Sequence, residues 1–245
     1  MSFTTNETGT AWDGFPKRSV HANSLAAGQK IYRGAIAIML GGDVYRASSF
    51  LSAPLNAKLL SAPGADANGG IQAYALRQNV RYSQLTGGAN KTLSVDVQYG
   101  ASTTDIVVQL ATDGAGAATS TANAVANAVR AHADANKLLK IAATGTGLGV
   151  TAAFAALLVI QGALLGVSDG TYDNSTGGGA ITTPMLFTKG ICQLATLSTD
   201  QPTAAQIDGF VALIDDQTVR ATPSPLDITV RLVDVENGQV YVELL

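Results

Sequence analysis

Cysteine is all but missing from this chain: Cys192 stands alone among 245 residues, which excludes an intrachain disulfide and any cysteine-based metal site. Charge is scarce too. Asp, Glu, Lys and Arg make up 13% of the sequence, where about a quarter is usual. The 15 Lys and Arg are scattered and the formal net charge is −3, so there is no basic footprint for a phosphate backbone and direct nucleic-acid binding is not expected. His21 and His132 are the only histidines, and neither has another His or Cys at ligand spacing. No metal and no cofactor are expected. Residues 1–7 lack the basic and apolar regions of a secretory leader, which points to synthesis in a cytoplasm. The one long apolar run, 150–167, is broken by Gln161, Gly162 and Gly166 and has no flanking basic or aromatic anchors. A membrane span of about 20 apolar residues is therefore not expected there. The run reads as core, either a buried helix or a helix plus a strand.

What the chain does contain is small and apolar: 47% hydrophobic residues and 26 Gly. Abundant Ala, Gly, Ser and Thr with sparse charge suggests an exterior partly covered by neighbouring subunits. The expected class is α+β, mostly antiparallel β-sheet units with a few short helices and an extended N-terminal arm. Residues 1–25 form that arm, with Trp12 and Phe15 set among Thr, Asn, Gly and Ser. Its aromatics either order against a pocket on a neighbour or close the edge of the chain's own core.

Residues 26–77 are expected as a β-rich unit. In it 30–40 make a strand pair or bent strand, Gly41-Gly42-Asp43 turns the chain, and 44–47 return. Residues 48–70, with Pro54 and Pro63, read as loop, and 71–85 resume alternation. Residues 78–171 are expected as an α/β module: strands over 92–99 and 105–112, then a helix with Thr119, Ser120 and Thr121 as candidate N-caps. Its apolar stripe is Ala122, Val125, Ala126, Val129 and Ala133. Residues 168–179 read as a long turn or linker. The last segment, 180–245, contains strands at 185–187 and 191–196, and a short amphipathic helix over 202–215 with Ile207, Phe210, Val211 and Ile214 on one face. Strands then flank the Asn237-Gly238 hairpin turn and complete a sheet.

The chemistry-bearing patterns are thin. Gly145-Thr-Gly-Leu-Gly149 has its last glycine one position early for a dinucleotide loop and no following Lys-Ser/Thr, so a turn is the favoured reading. Asp215-Asp216 reads as a solvated pair rather than a cation site. Gly166-Val-Ser-Asp-Gly170 lacks the strand–turn–helix context of a nucleophile elbow. No acid–base pair stands out, so an enzyme, such as a glycan hydrolase, is the weakest class.

Two stretches carry a resemblance. Residues 26–46, with Lys30-Ile-Tyr-Arg-Gly-Ala35, the glycine turn and Tyr45, resemble the opening β unit of tailed-bacteriophage capsid decoration (cement) proteins. Residues 93–169 are similar to an α/β module that recurs in phage virion proteins, including tail and sheath components. Its marks are Leu93-Ser-Val-Asp-Val97, Ile106-Val-Val-Gln-Leu-Ala-Thr-Asp113, Thr119-Ser-Thr-Ala122 and Leu165-Gly-Val-Ser-Asp-Gly170. The resemblance implies a non-enzymatic particle protein on the capsid exterior, a homo-oligomer, expected as a trimer, with the major capsid protein as partner. The alternative it allows is a tail tube or other tail component. Expected intersubunit contacts are Trp12 and Phe15 in the arm, and Ile31, Tyr32, Ile36 and Ile38 along a strand edge open to β-augmentation.

Overall fold

The structure, a computed structural model, describes residues 18–49, 60–62, 67–236 and 239–244. Among the described residues about half are strand, and α-helix is confined to two pieces. The fold is therefore mostly β, and the expected α+β class holds only in its β-rich part. Two compact units are present. One is the continuous stretch Asn56–Gly162, and the other is made from Met1–Leu55 together with Ala163–Leu245.

The discontinuous unit contains two closed five-stranded barrels. The first joins β1 (Arg18–Leu25), β14 (Ile181–Lys189), β12 (Gly162–Ser168), β3 (Ile36–Leu40) and β4 (Asp43–Arg46) in that order. Gly41 and Gly42 turn β3 into β4 with φ of 62° and 92°, the positive values a type I′ turn requires. Arg18 to Leu25 pair along β14, so the second part of the expected arm is a barrel strand; residues 1–17, with Trp12 and Phe15, lie outside the described residues. Leu25, Ile31, Ala35, Ala37, Val44, Met185 and Phe187 fill this barrel's core. Gly166 sits where β12 crosses close to β14, with φ of 124°. A Cβ there would stand 2.5 Å from the Thr188 carbonyl oxygen.

The expected linker at 168–179 is part of this unit. Its β13 (Tyr172–Asp173) pairs with β2 (Lys30–Ile31). Next to it the buried Asn174 amide donates to the carbonyls of Leu25, Ala26 and Gly179. One asparagine thus ties three backbone carbonyls of the unit together.

The second barrel runs β15 (Ile191–Thr196), β17 (Thr218–Arg220), β16 (Phe210–Leu213), β18 (Thr229–Glu236) and β19 (Gln239–Glu243). Alternation places its core: Cys192 lies opposite Val242, and Val242 opposite Leu232. Glu236 pairs with Gln239, so the two strands of the expected hairpin are present; Asn237 and Gly238 lie outside the described residues. The amphipathic helix expected over 202–215 is not formed. A short 3-10 turn, Ala204–Gln206, ends at Asp208-Gly209, and the chain continues as β16. Asp208 has φ of 69°, a value that breaks a right-handed helix, and β16 gains ladders to both β17 and β18.

The continuous unit packs a three-stranded and a four-stranded sheet with helix around one core. The smaller sheet is β10 (Leu139–Ala143), β6 (Ile71–Ala75) and β5 (Leu60–Ala62); the larger is β11 (Phe154–Leu158), β7 (Val80–Leu85), β9 (Thr104–Gln109) and β8 (Ser94–Tyr99). Helix α1 (Ala122–Ala131) starts at Thr121, whose hydroxyl accepts from the Ala124 amide at 3.2 Å. It buries Ala122, Val125, Ala126 and Val129 against Tyr82, Ile106, Val108, Leu139 and Ile141. Ala133 falls beyond the helix and is exposed. His132 ends α1, and its Nδ1 accepts from the amides of Asp134 and Ala135 at the start of the short α2 (Ala135–Leu138).

The apolar run at 150–167 forms no helix. It is β11 and β12, separated by residues 159–161. Among the described residues no helix is long and apolar enough to cross a membrane.

Candidate assembly surfaces

Of the expected contact residues on the Ile31–Leu40 segment, Ile31, Ile36 and Ile38 are wholly buried. Their side chains are committed to this chain's interior. The open edge expected here is closed as well, because β3 is flanked by β12 and β4 in the barrel. Both corrections share one physical cause. Closing a barrel removes the edges that a sequence of alternating residues leaves undefined.

Tyr32 alone of this group keeps some exposure, and it stands between two cations. The Lys30 ammonium is 5.5 Å from the ring centroid and the Arg46 guanidinium 5.4 Å. Each cation has a carboxylate. Lys30 pairs with Asp173 across β2 and β13 at 2.6 Å, and its ammonium together with Ser175 holds the Asp173 carboxyl well below the usual range. Arg46 meets Asp216 at 2.9 Å. Asp216 is only 3% exposed, so the reading of Asp215-Asp216 as a solvated pair is overturned. Asp215 instead accepts from the amides of Gln217 and Thr218. The Asp216 carbonyl also accepts from the Ile36 amide. The β16–β17 turn of one barrel is thereby tied to β3 and β4 of the other, which gives Asp216 a structural role.

The remaining patterns resolve into packing. In the glycine loop, the amides of Thr146, Gly147 and Gly149 already donate to Asn68 Oδ1, the Thr144 carbonyl and the Asn68 carbonyl. Donors spent in this way cannot cradle a phosphate. Ser168 is buried and donates to the Gly170 carbonyl at 2.7 Å. Burial pushes the Cys192 thiol up to about 12, which makes it a small core hydrophobe. Among the described residues no group of three or more His, Cys, Asp or Glu could hold a metal ion.

Open edges survive in the continuous unit. The four-stranded sheet begins at β11 and ends at β8. Among the described residues no further strand pairs with either one. β11 carries Phe154-Ala-Ala-Leu-Leu158 with no charge and no proline, and Leu157 and Leu158 are 43% and 64% exposed. Phe154 leans on Tyr82 with ring centroids 5.8 Å apart. A bulge between Phe154 and Leu157 keeps both residues on the Tyr82 side, while Leu158 falls opposite Arg81 on the outer face. That outer face is fastened by Arg81, which donates through both Nε and Nη2 to Asp105. These bonds hold the Asp105 carboxyl below its ordinary value and raise Arg81. Beneath them a buried polar chain runs from Thr151 to Gln84 to the Tyr82 hydroxyl. At the opposite edge β8 exposes Asp96, Gln98 and Tyr99.

Leu157 and Leu158 were not among the residues that sequence reasoning singled out. They lie in an unbroken apolar run, where neither a period of two nor one of 3.6 marks a face, and only strand order shows that the run lies at an edge. Comparison with known protein families, with curated proteins and with solved structures finds no match.

Proposed function

We propose that the chain is a non-enzymatic structural protein of a tailed-phage particle: a decoration (cement) protein on the capsid exterior that oligomerises and binds the major capsid protein. The observation that carries this reading is the pair of open edges on the four-stranded sheet, one of them uncharged and displaying leucines. Monomeric proteins usually blunt such an edge with charge, proline or a covering loop. An exposed, pairable edge instead suits a protein whose surface is completed by assembly. The resemblance of residues 26–46 and 93–169 to virion proteins supplies the kind of assembly. Many modest contacts repeated over a lattice would sum to firm attachment and oppose the outward pressure of packaged DNA.

Negative-stain microscopy of the purified chain, alone and mixed with phage heads, tests the proposal. Closed trimers that coat heads are the expected result. Stacked hexameric rings that ignore heads would replace it with a tail tube protein, a role that joined sheets would also serve.

A further inference from the structure

The geometry points to one specific junction between copies: β11 of one copy adds to β8 of the next, in parallel, so that the four-stranded sheets join head to tail into a closed ring. The inference rests on reading the chain as a self-assembling structural protein.

Direction comes first. β11 is antiparallel to β7, β7 is parallel to β9, and β8 is antiparallel to β9. Both open strands therefore run the same way. A rotation axis along the strands brings β11 of one copy beside β8 of its neighbour with the strand directions matched. The lengths match as well, at 5 and 6 residues.

Charge selects among the possible pairings. Asp96 is the only charged residue of β8, and β11 has none. Two β8 strands related by a two-fold axis at Asp96 would set carboxylate against carboxylate, which is unfavourable. β11 against β8 brings no like charges together and covers the exposed leucines.

Area then separates the ring from a simple dimer. A strand of this length is about 17 Å long and a sheet roughly 10 Å thick, so one junction covers roughly a few hundred Å² at most. A stable standard interface buries about 800 Å² per partner. A two-fold pair of β11 strands would fall short of that and leave every β8 open. In a closed ring each copy contributes both edges and none is left unpaired.

Two surface variants test the junction. Ala156→Lys places an ammonium on exposed β11, and Asp96→Lys places one on exposed β8; a lysine on an edge strand blocks strand addition at little cost to the fold. Circular dichroism and the melting midpoint of each variant confirm folding, and sedimentation velocity reads the assembly. The wild type is expected as a ring and each variant alone as a monomer. An equimolar mixture is expected to form nothing larger than dimers, because one compatible pair of edges, covering roughly a few hundred Å² at most, remains. The inference is overturned by an Asp96→Lys protein that assembles like the wild type, by an Ala156→Lys protein that does so, by a mixture that rebuilds rings, or by a monomeric wild type. Where one of these overturning results is found and the wild type nonetheless coats phage heads, the decoration reading stands and this junction alone falls.

Discussion

Removing the Arg46 side chain should cost the discontinuous unit more stability than any exposed ion pair could. Asp216 has 4% of its side chain exposed and Arg46 has 20%, so the pair sits mostly outside the screening of water. Deleting one partner of a fully buried pair costs about 3–5 kcal/mol because the other charge is stranded. The residual exposure of Arg46 argues for the lower part of that range. Lost cation–π contact with Tyr32 adds about 0.5–1 kcal/mol. Arg46→Met, which preserves the apolar stem, should therefore destabilise by roughly 3–5 kcal/mol. With a urea m-value of about 2–3 kcal/mol/M for a unit of this size, the midpoint should fall by roughly 1–2 M. The test is a double-mutant cycle in urea, followed by far-ultraviolet circular dichroism. Asp216→Leu alone should also be costly, since it leaves the guanidinium without its acceptor. The Arg46→Met/Asp216→Leu double variant should recover part of the loss, with a coupling of about 1–3 kcal/mol. Single substitutions costing less than about 1 kcal/mol, or a double variant whose loss equals the sum of the two, would refute the reasoning, because that is how a screened surface pair behaves.

Three further outcomes follow from other positions. Gly166→Ala forces a Cβ towards the Thr188 carbonyl at a φ that L side chains rarely adopt; it should destabilise by roughly 2–5 kcal/mol and lower the melting midpoint by about 5–15 °C, and a midpoint unchanged in calorimetry would contradict the close approach of β12 to β14. Thr121→Ala removes the N-cap of α1 and should cost about 1 kcal/mol, whereas Thr121→Ser should restore most of it; equal midpoints for the two variants would show that the cap is idle. Asp105, held below its ordinary value by Arg81, contributes stability that is present above about pH 4, the unfolded value, and lost as pH falls through the lower folded value. Asp105→Asn should flatten that part of the acid-melting profile, and a slope as steep as in the wild type would place the acid sensitivity elsewhere.

The legible parts of the fold are those settled by a few neighbouring residues. Gly41-Gly42 specified a turn through two positive φ angles, and Thr121 capped a helix whose buried stripe is spaced as a helix requires. The strand at 191–196 and the strands on either side of positions 237–238 were legible in the same way. Where the decision lay far along the chain, local pattern misled. Ile207, Phe210, Val211 and Ile214 satisfy a helical period, but Asp208-Gly209 is itself a turn signal, and pairing of β16 with strands on both sides outweighs the period. The open edges were hidden for the same reason. Being at an edge is a property of strand order, and nothing in Phe154-Ala-Ala-Leu-Leu158 or in the Ile31–Leu40 segment says which of them ends up with an unpaired side. Asp216 became a buried partner only because β4 brings Arg46 to it from across the chain.

The insertion of one unit into the other also orders events during synthesis. Arg18 on β1 pairs with Lys189 on β14, and translation at about 5–20 residues per second separates their emergence by roughly 10–30 s. The continuous unit, whose strands all lie within 56–162, is complete before that interval ends. A nascent chain therefore presents a sheet with both borders unpaired while its first strand still lacks β14. Adjacent chains on one messenger meet in that window, so two unpaired borders are a hazard of premature strand pairing at the ribosome.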